Sequence, residues 1–330
     1  MIENMLLPAV FEAFNELNVL VIGDVMIDSY VFGRVDRISP EAPVPVVVAQ
    51  NREFRLGGAG NVLLNVQALG AKAIACSVIG KDSYGDELCH LLESKGLATS
   101  GIVRSKERIT TVKERIIAGS QQVVRVDTET DAPISGEERE ALLVKISELA
   151  SSCQVIIFED YDKGVISKEL IEEVVAMARE RNIPTVVDPK KRNFLHYKGT
   201  TLFKPNLKEL REGLNISFDV RKPVELESAA QQLKEALSLG GTLITLSERG
   251  VYIDFQEQKC HLPAHIRQIA DVSGAGDTVI SIAACCVALG LSPKQIAGLS
   301  NLGGGLVCEE VGVVPINKSL LLSEALLAEV

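Results

Sequence analysis

The chain has 330 residues, a formal net charge of −10 with a pI near 5.1, and 46% hydrophobic residues. That charge argues against general nucleic-acid binding, and with no tryptophan and 4% aromatics there is little surface for stacking bases. No window approaches the ~20 uncharged apolar residues of a membrane span, and the start, with Glu3 and no early base, is unlike a secretory signal.

Asn18–Asp24 is a short apolar run closed by Gly23-Asp24, the pattern of a buried parallel strand. Residues 28–33 alternate weakly, and Ile38–Pro45 holds three prolines, so this piece is expected at a sheet edge or in an extended crossing. Val46–Gln50 resumes as strand. Gly57-Gly58 then opens a helix over 62–70, followed by a strand at 73–79, a helix at 83–95 and a strand near 101–104. Two antiparallel strands, 110–117 and 122–127, flank a turn at Ala118–Gln121 and are expected to form, with 28–37, a small separate sheet. After a helix at 137–151 the chain alternates strands (153–159, 184–188, 201–204, 242–246) with helices (168–181, one bearing Glu209, 225–238). A hairpin at 250–255 and 258–262 and three closing helices complete it.

Alternation of this kind means a mostly parallel sheet covered on both faces, with ligands beyond the carboxyl ends of its strands. Polar clusters fall at those ends: Gly23-Asp24, Asp160–Lys163, Asp188–Arg192, Asn206 and Ser247-Glu248. No linker divides the chain, which reads as one domain over 1–330 with a lid sheet inserted from about 28–50 and 101–127. The seven cysteines include no Cys-x-x-Cys and read as reduced thiols of a cytoplasmic protein. Pro263 between His261 and His265 breaks the one spacing that hints at zinc.

Asp271–Thr278 (Asp-Val-Ser-Gly-Ala-Gly-Asp-Thr) precedes a helix that is apolar on nearly every side. A glycine turn there leaves the amides of Gly274, Ala275 and Gly276 free at the positive end of the helix dipole, a cradle for phosphate-like charge. Asp277 beside it suits a general base, although a carboxylate at a positive helix end is expected to titrate low. A helix cap would use the same residues. The chain has neither a Gly-x-x-x-x-Gly-Lys-Ser/Thr loop nor a dinucleotide fingerprint after its first strand.

Gly57-Gly58 with Asn61, taken with Asp271–Asp277, resembles the two signatures of the ribokinase-like carbohydrate kinase family, with Ser273 where threonine is common. The likeness runs from Val19 to the last helices. It implies a three-layer αβα fold with a β-sheet lid and an ATP-dependent sugar kinase. Gly23–Tyr30, Arg37–Val46, Asp160–Gly164 and Asp188–Lys190 further resemble heptose 7-phosphate kinases of the lipopolysaccharide pathway. That likeness implies transfer of the ATP γ-phosphate to the anomeric hydroxyl of D-glycero-β-D-manno-heptose 7-phosphate. Bifunctional relatives carry a following nucleotidyltransferase domain; with the sequence ending at Val330, that activity is expected elsewhere.

The resemblance implies Asp277 as base and Gly274–Gly276 as phosphate cradle. Asp28, Gly57, Gly58 and Asn61, with Asp160, are expected on the sugar. Lys190, Lys163 or Arg192 are expected on its distal phosphate, with Lys113, Arg115 and Arg125 of the lid as further candidates. Asn206 and Glu209 are expected to order Mg²⁺ and phosphates, Glu209 acting on the metal through water. Ser247, Glu248 and Gly250 are expected under the nucleotide, and Asn301 near the adenine. A monovalent-cation requirement stays open. Open lid edges with exposed Val and Ile are expected to pair two copies into a homodimer. A kinase of another sugar or nucleoside, and a non-catalytic sugar- or nucleotide-binding regulator, remain alternatives.

Overall fold

The computed structural model describes residues 6–119, 121–265 and 267–328; Ser120 of the expected 118–121 turn and the first five residues lie outside them. In chain order the elements are α1 (Leu7–Ala13), β1 (Asn18–Gly23), β2 (Val25–Ile38), β3 (Pro45–Gly58), α2 (Ala59–Ala68), β4 (Lys72–Gly80), α3 (Ser83–Ser94), β5 (Ile102–Ser105), β6 (Val112–Ala118), β7 (Gln121–Thr128) and α4 (Gly136–Ala150). There follow β8 (Val155–Glu159), α5 (Lys168–Glu180), β9 (Thr185–Asp188), β10 (Leu202–Phe203), α6 (Leu207–Leu214), α7 (Pro223–Leu237), β11 (Gly241–Thr245), β12 (Val251–Phe255), β13 (Gln258–Leu262), α8 (Ala275–Ala288), α9 (Pro293–Val307) and α10 (Lys318–Leu327).

Nine strands form the main sheet in the order β13-β12-β11-β10-β9-β8-β1-β4-β5, all running the same way except β12, which is antiparallel to both its neighbours. β8 is buried along its whole length because helices cover both faces. One face packs Val19, Val21 and Ile157 against α2, α8 and α9; the other packs Leu20, Ile156 and Phe158 against α4, α5 and α7. Alternation along each strand thus supplies both layers of the αβα sandwich. Among the described residues no helix is long and apolar enough to cross a membrane.

The lid is a four-stranded sheet, β3-β2-β6-β7. The proline-rich run forms the turn between two 14-residue strands, and Pro45 starts β3 on the sheet edge, where a missing N–H costs nothing. Two expectations need correction. The strand near 101–104 belongs to the main sheet, as β5 beside β4, so the lid comprises 25–58 and 112–128. Helix α2 starts at Ala59, earlier than expected, because β3 runs on to Gly58 and the helix begins at once.

Candidate active site

Strands β11, β10, β9, β8 and β1 are neighbours, so their carboxyl ends lie in one row. From that row come Ser247, Lys204 with Asn206, Asp188, Glu159 with Asp160, and Asp24. Helix α8 packs on β8 and β9, which sets Asp277 over the middle of the row. Gly274 takes φ +81 and caps α8 without a side-chain partner. Among the described residues the N–H groups of Gly276 and Asp277 have no acceptor, while Thr278 makes the first helical bond, to the Gly274 carbonyl. Of the amides expected to form the cradle, that of Ala275 instead donates to the Val272 carbonyl at 3.4 Å, so the free pair at this turn is Gly276 and Asp277.

Asp277 is buried, and its Oδ1 accepts a 2.8 Å hydrogen bond from the Tyr161 hydroxyl. Asn61 lies beside it, also donating to the ionised form. Burial, reinforced by the nearby Asp188, raises Asp277 to about 6 despite those two donors. The expectation of a low pKa is thus corrected: desolvation outweighs the helix dipole. A carboxylate near 6 is a better base than an exposed one and is still ionised at neutral pH.

Gly57-Gly58 and α8 are far apart in sequence but meet through α2, where Asn65 Oδ1 accepts from both the Thr278 hydroxyl at 3.1 Å and the Ile316 amide at 3.0 Å. Gly58 has φ +57, and any side chain there would strike the Asp24 carbonyl. At Gly57 a Cβ would fall 2.5 Å from Asp28 Oδ2, so the missing side chain makes room for that carboxylate. Asp28 is buried and paired with Arg115 at 2.5 Å. Cross-strand register puts Asp28, Lys113 and Asp127 in one line and Tyr30, Arg115 and Arg125 in the next, on one lid face. On that face Arg125 is paired with Asp127, whereas Lys113 has no carboxylate within ion-pair distance among the described residues. Its ammonium lies 5.7 Å from the centroid of the Tyr161 ring.

Four expected sugar or phosphate contacts are placed differently. Asp160 is fully buried beneath the site, and its oxygens accept from Asn193, Tyr197 and the Asp162 amide, so it anchors a loop instead of reaching the sugar. Lys163 is paired with Glu129 at 2.8 Å. Lys190 lies 3.0 Å from Glu209 Oε1, toward the β9–β10 side of Asp277. Burial opposes its charge, but Asp188 and Glu209 outweigh that and hold the ammonium above its usual range. Arg192 pairs with Asp131 and is also withdrawn.

On the donor side Asn206 and Glu209 form a reciprocal capping box at the start of α6. Glu209 Oε2 accepts from the Asn206 amide and Oε1 from Lys190, which leaves a metal contact through water as its remaining option. Ser247 and Glu248 are exposed on the turn after β11, where Gly250 takes φ +83 against the Leu262 carbonyl. The Asn301 amide donates to the Pro263 carbonyl at 2.8 Å and so braces the loop before α8.

Glu159, Asp188 and Asp277, all buried, each offer a carboxylate oxygen within 4.8 Å of the others. Lys204, buried just after β10, neutralises Asp188 at 2.8 Å. Both Glu159 oxygens are buried without a partner among the described residues, and burial with the neighbouring Asp188 pushes this carboxyl well up. A hard oxygen cluster with one carboxylate still unpartnered, next to an anion cradle, fits Mg²⁺ accompanying a nucleotide. Sequence reasoning overlooked Tyr161, Glu159 and Lys204 as site residues. The signals were present: a buried strand closed by Glu159-Asp160-Tyr161, and a lysine ending another.

A glycine turn with free amides, a buried aspartate beside it and a β-sheet lid at the strand ends of an αβα sandwich are the layout of a sugar kinase. Residues 16–319 match the pfkB family carbohydrate kinase model, and the chain belongs to that family of ATP-dependent carbohydrate kinases. It is similar to the bifunctional protein HldE of Geobacter metallireducens, 39% identical over 310 residues that cover 94% of this chain and 63% of the relative. The chain thus spans less than two-thirds of that relative's length. Among solved structures it resembles phosphofructokinase-2 from Escherichia coli in complex with potassium, with a TM-score of 0.76 and 18% identity, covering 93% of this chain and 99% of the other. Arabidopsis thaliana ribokinase complexed with ribose and ATP gives a TM-score of 0.70 at 15% identity, over 93% and 98%.

Proposed function

We propose that the chain transfers the γ-phosphoryl group of ATP to the anomeric C1 hydroxyl of D-glycero-β-D-manno-heptose 7-phosphate, giving the 1,7-bisphosphate. The observation that carries the acceptor class is the basic lid face opposite Asp277, which suits a sugar that already bears a phosphate. The 39% identity to HldE supports heptose within that class.

Asp28 and Asn61 bind sugar hydroxyls and bring the C1 hydroxyl to Asp277. Asp277 takes the hydroxyl proton as the C1 oxygen attacks the γ-phosphorus, and the bond from that phosphorus to the β-phosphate oxygen breaks so that ADP leaves. The Gly276 and Asp277 amides hold the moving phosphoryl group, and Lys190 and Lys204 offset its charge. Asp188 and Glu159 would hold Mg²⁺, with Glu209 acting through water; the metal supplies charge neutralisation on the nucleotide phosphates. Lys113, unpaired among the described residues, takes the distal phosphate with Arg115 beside it. Lid closure excludes water that would otherwise accept the phosphoryl group. The exposed valines on the lid's other face pair with a second copy, giving a homodimer, and the reading implies a cytoplasmic enzyme.

The test is turnover of ATP with a panel of sugars and sugar phosphates. Heptose 7-phosphate should be preferred, and Lys113→Ala should raise its KM ~10-fold or more, the loss of one charge-assisted contact. Turnover of a different acceptor with none on heptose 7-phosphate would overturn the assignment.

A further inference from the structure

The loop after β8, Asp160-Tyr-Asp-Lys-Gly164, is held from below and reaches upward. Its alternate amides converge on one carboxylate: Tyr161 and Lys163 donate to Asp24 Oδ2 at 2.9 and 3.2 Å, and Val165 donates to Oδ1 at 3.1 Å. That convergence needs left-handed backbone, found at Asp162 (φ 56) and Gly164 (φ 87). Asp160 pins the loop's first residue to Asn193 and Tyr197. With the backbone fixed on both sides, the Tyr161 hydroxyl lands 2.8 Å from Asp277 Oδ1.

Asp24 also reaches the other half of the site. Its carbonyl accepts from the Ala59 amide at 3.0 Å, at the start of the helix that carries Asn61. It is buried and stands between the strand that ends the main sheet's first run and the strand that begins the lid.

We infer that Asp24 and Tyr161 are positioning residues for the catalytic base: Asp24 fixes the 161–165 loop, and the loop's Tyr161 hydroxyl orients the Asp277 carboxylate. With Oδ1 engaged by the phenol, Oδ2 is the oxygen presented to the acceptor hydroxyl. The inference rests on Asp277 as base but not on which sugar is the acceptor.

The test is a double-mutant cycle on the full chain with Tyr161→Phe and Asp24→Asn, using whichever acceptor the wild-type protein phosphorylates. Tyr161→Phe should lower kcat ~10-fold, one hydrogen bond's worth, with KM for ATP within about 2-fold of wild type. Asp24→Asn should lower kcat by at least as much, and adding it to Tyr161→Phe should cost much less than the product of the two. Full additivity, or wild-type kcat in Tyr161→Phe, overturns the inference. If Asp24→Asn fails to fold, Asp24→Glu, which keeps the charge but displaces the carboxylate, takes its place in the cycle. Activity in Asp277→Asn would instead overturn the base assignment, a separate outcome.

Discussion

Asp277, the proposed base, has its proton affinity set by burial, and this has consequences for both rate and stability. The group must be ionised to accept a proton, so kcat/KM should rise with pH along a limb centred near 6 and level off above it. A pH–rate profile with no inflection between 5 and 7 would count against Asp277 as the base. A folded pKa raised above the ordinary 3.8 means that the contribution to stability is full below about 4 and is lost as pH rises through about 6. At pH 7.5, Asp277→Asn should therefore be inactive yet more stable than wild type, by on the order of 2 kcal/mol, because it removes a buried charge beside Asp188 and Glu159. Thermal melts at pH 4 and pH 7.5 check this: the two proteins should differ little at the lower pH and separate at the higher.

Among elements, the two glycine turns were legible in the sequence because turn chemistry is local. A left-handed glycine before an apolar run announces itself without knowledge of its neighbours, and so does a proline run that cannot join a central strand. The strand near 101–104 was assigned to the wrong sheet because four residues carry no period that distinguishes one sheet from another. Tyr161, Glu159 and Lys204 escaped notice for a related reason: their significance depends on which helix is stacked above them. Lys190 reads as a free cation in sequence and becomes a partner of Glu209 only when β9 and β10 lie side by side. The β3–α2 junction gives a sharp test. Gly57→Ala would place a methyl 2.5 Å from the Asp28 carboxylate. It should therefore raise the acceptor KM by ~10-fold or more while leaving the ATP KM near wild type. Equal effects on both constants would show that the turn acts through the fold as a whole.

At the scale of the whole molecule, the lid has one charged face and one largely apolar face, the second interrupted by the Arg52–Glu114 pair at 3.3 Å. Val124 and Val126, 47% and 50% exposed, lie on the second. Water gains when such a surface is covered, and an open strand edge offers hydrogen bonds to a second copy. The proposed homodimer should give a dimer mass in sedimentation at micromolar concentration, and Val126→Asp should shift it toward monomer. A wild-type monomer under those conditions would refute lid pairing.

Only Asp24 separates β1 from β2. The first strand of the lid is thus the direct continuation of a core strand, with no slack between them. Side chains along a strand alternate with a period of two, so which lid face looks at Asp277 depends on whether the count of residues from β1 is odd or even. An insertion of one residue at this junction would turn Asp28 and Tyr30 outward and bring Ile27, Ser29 and Val31 to the site. An insertion of two would restore the facing set one step further along. The chemistry of the acceptor pocket is in this sense a matter of parity, kept by a chain that spends a single residue on passing from one sheet to the other.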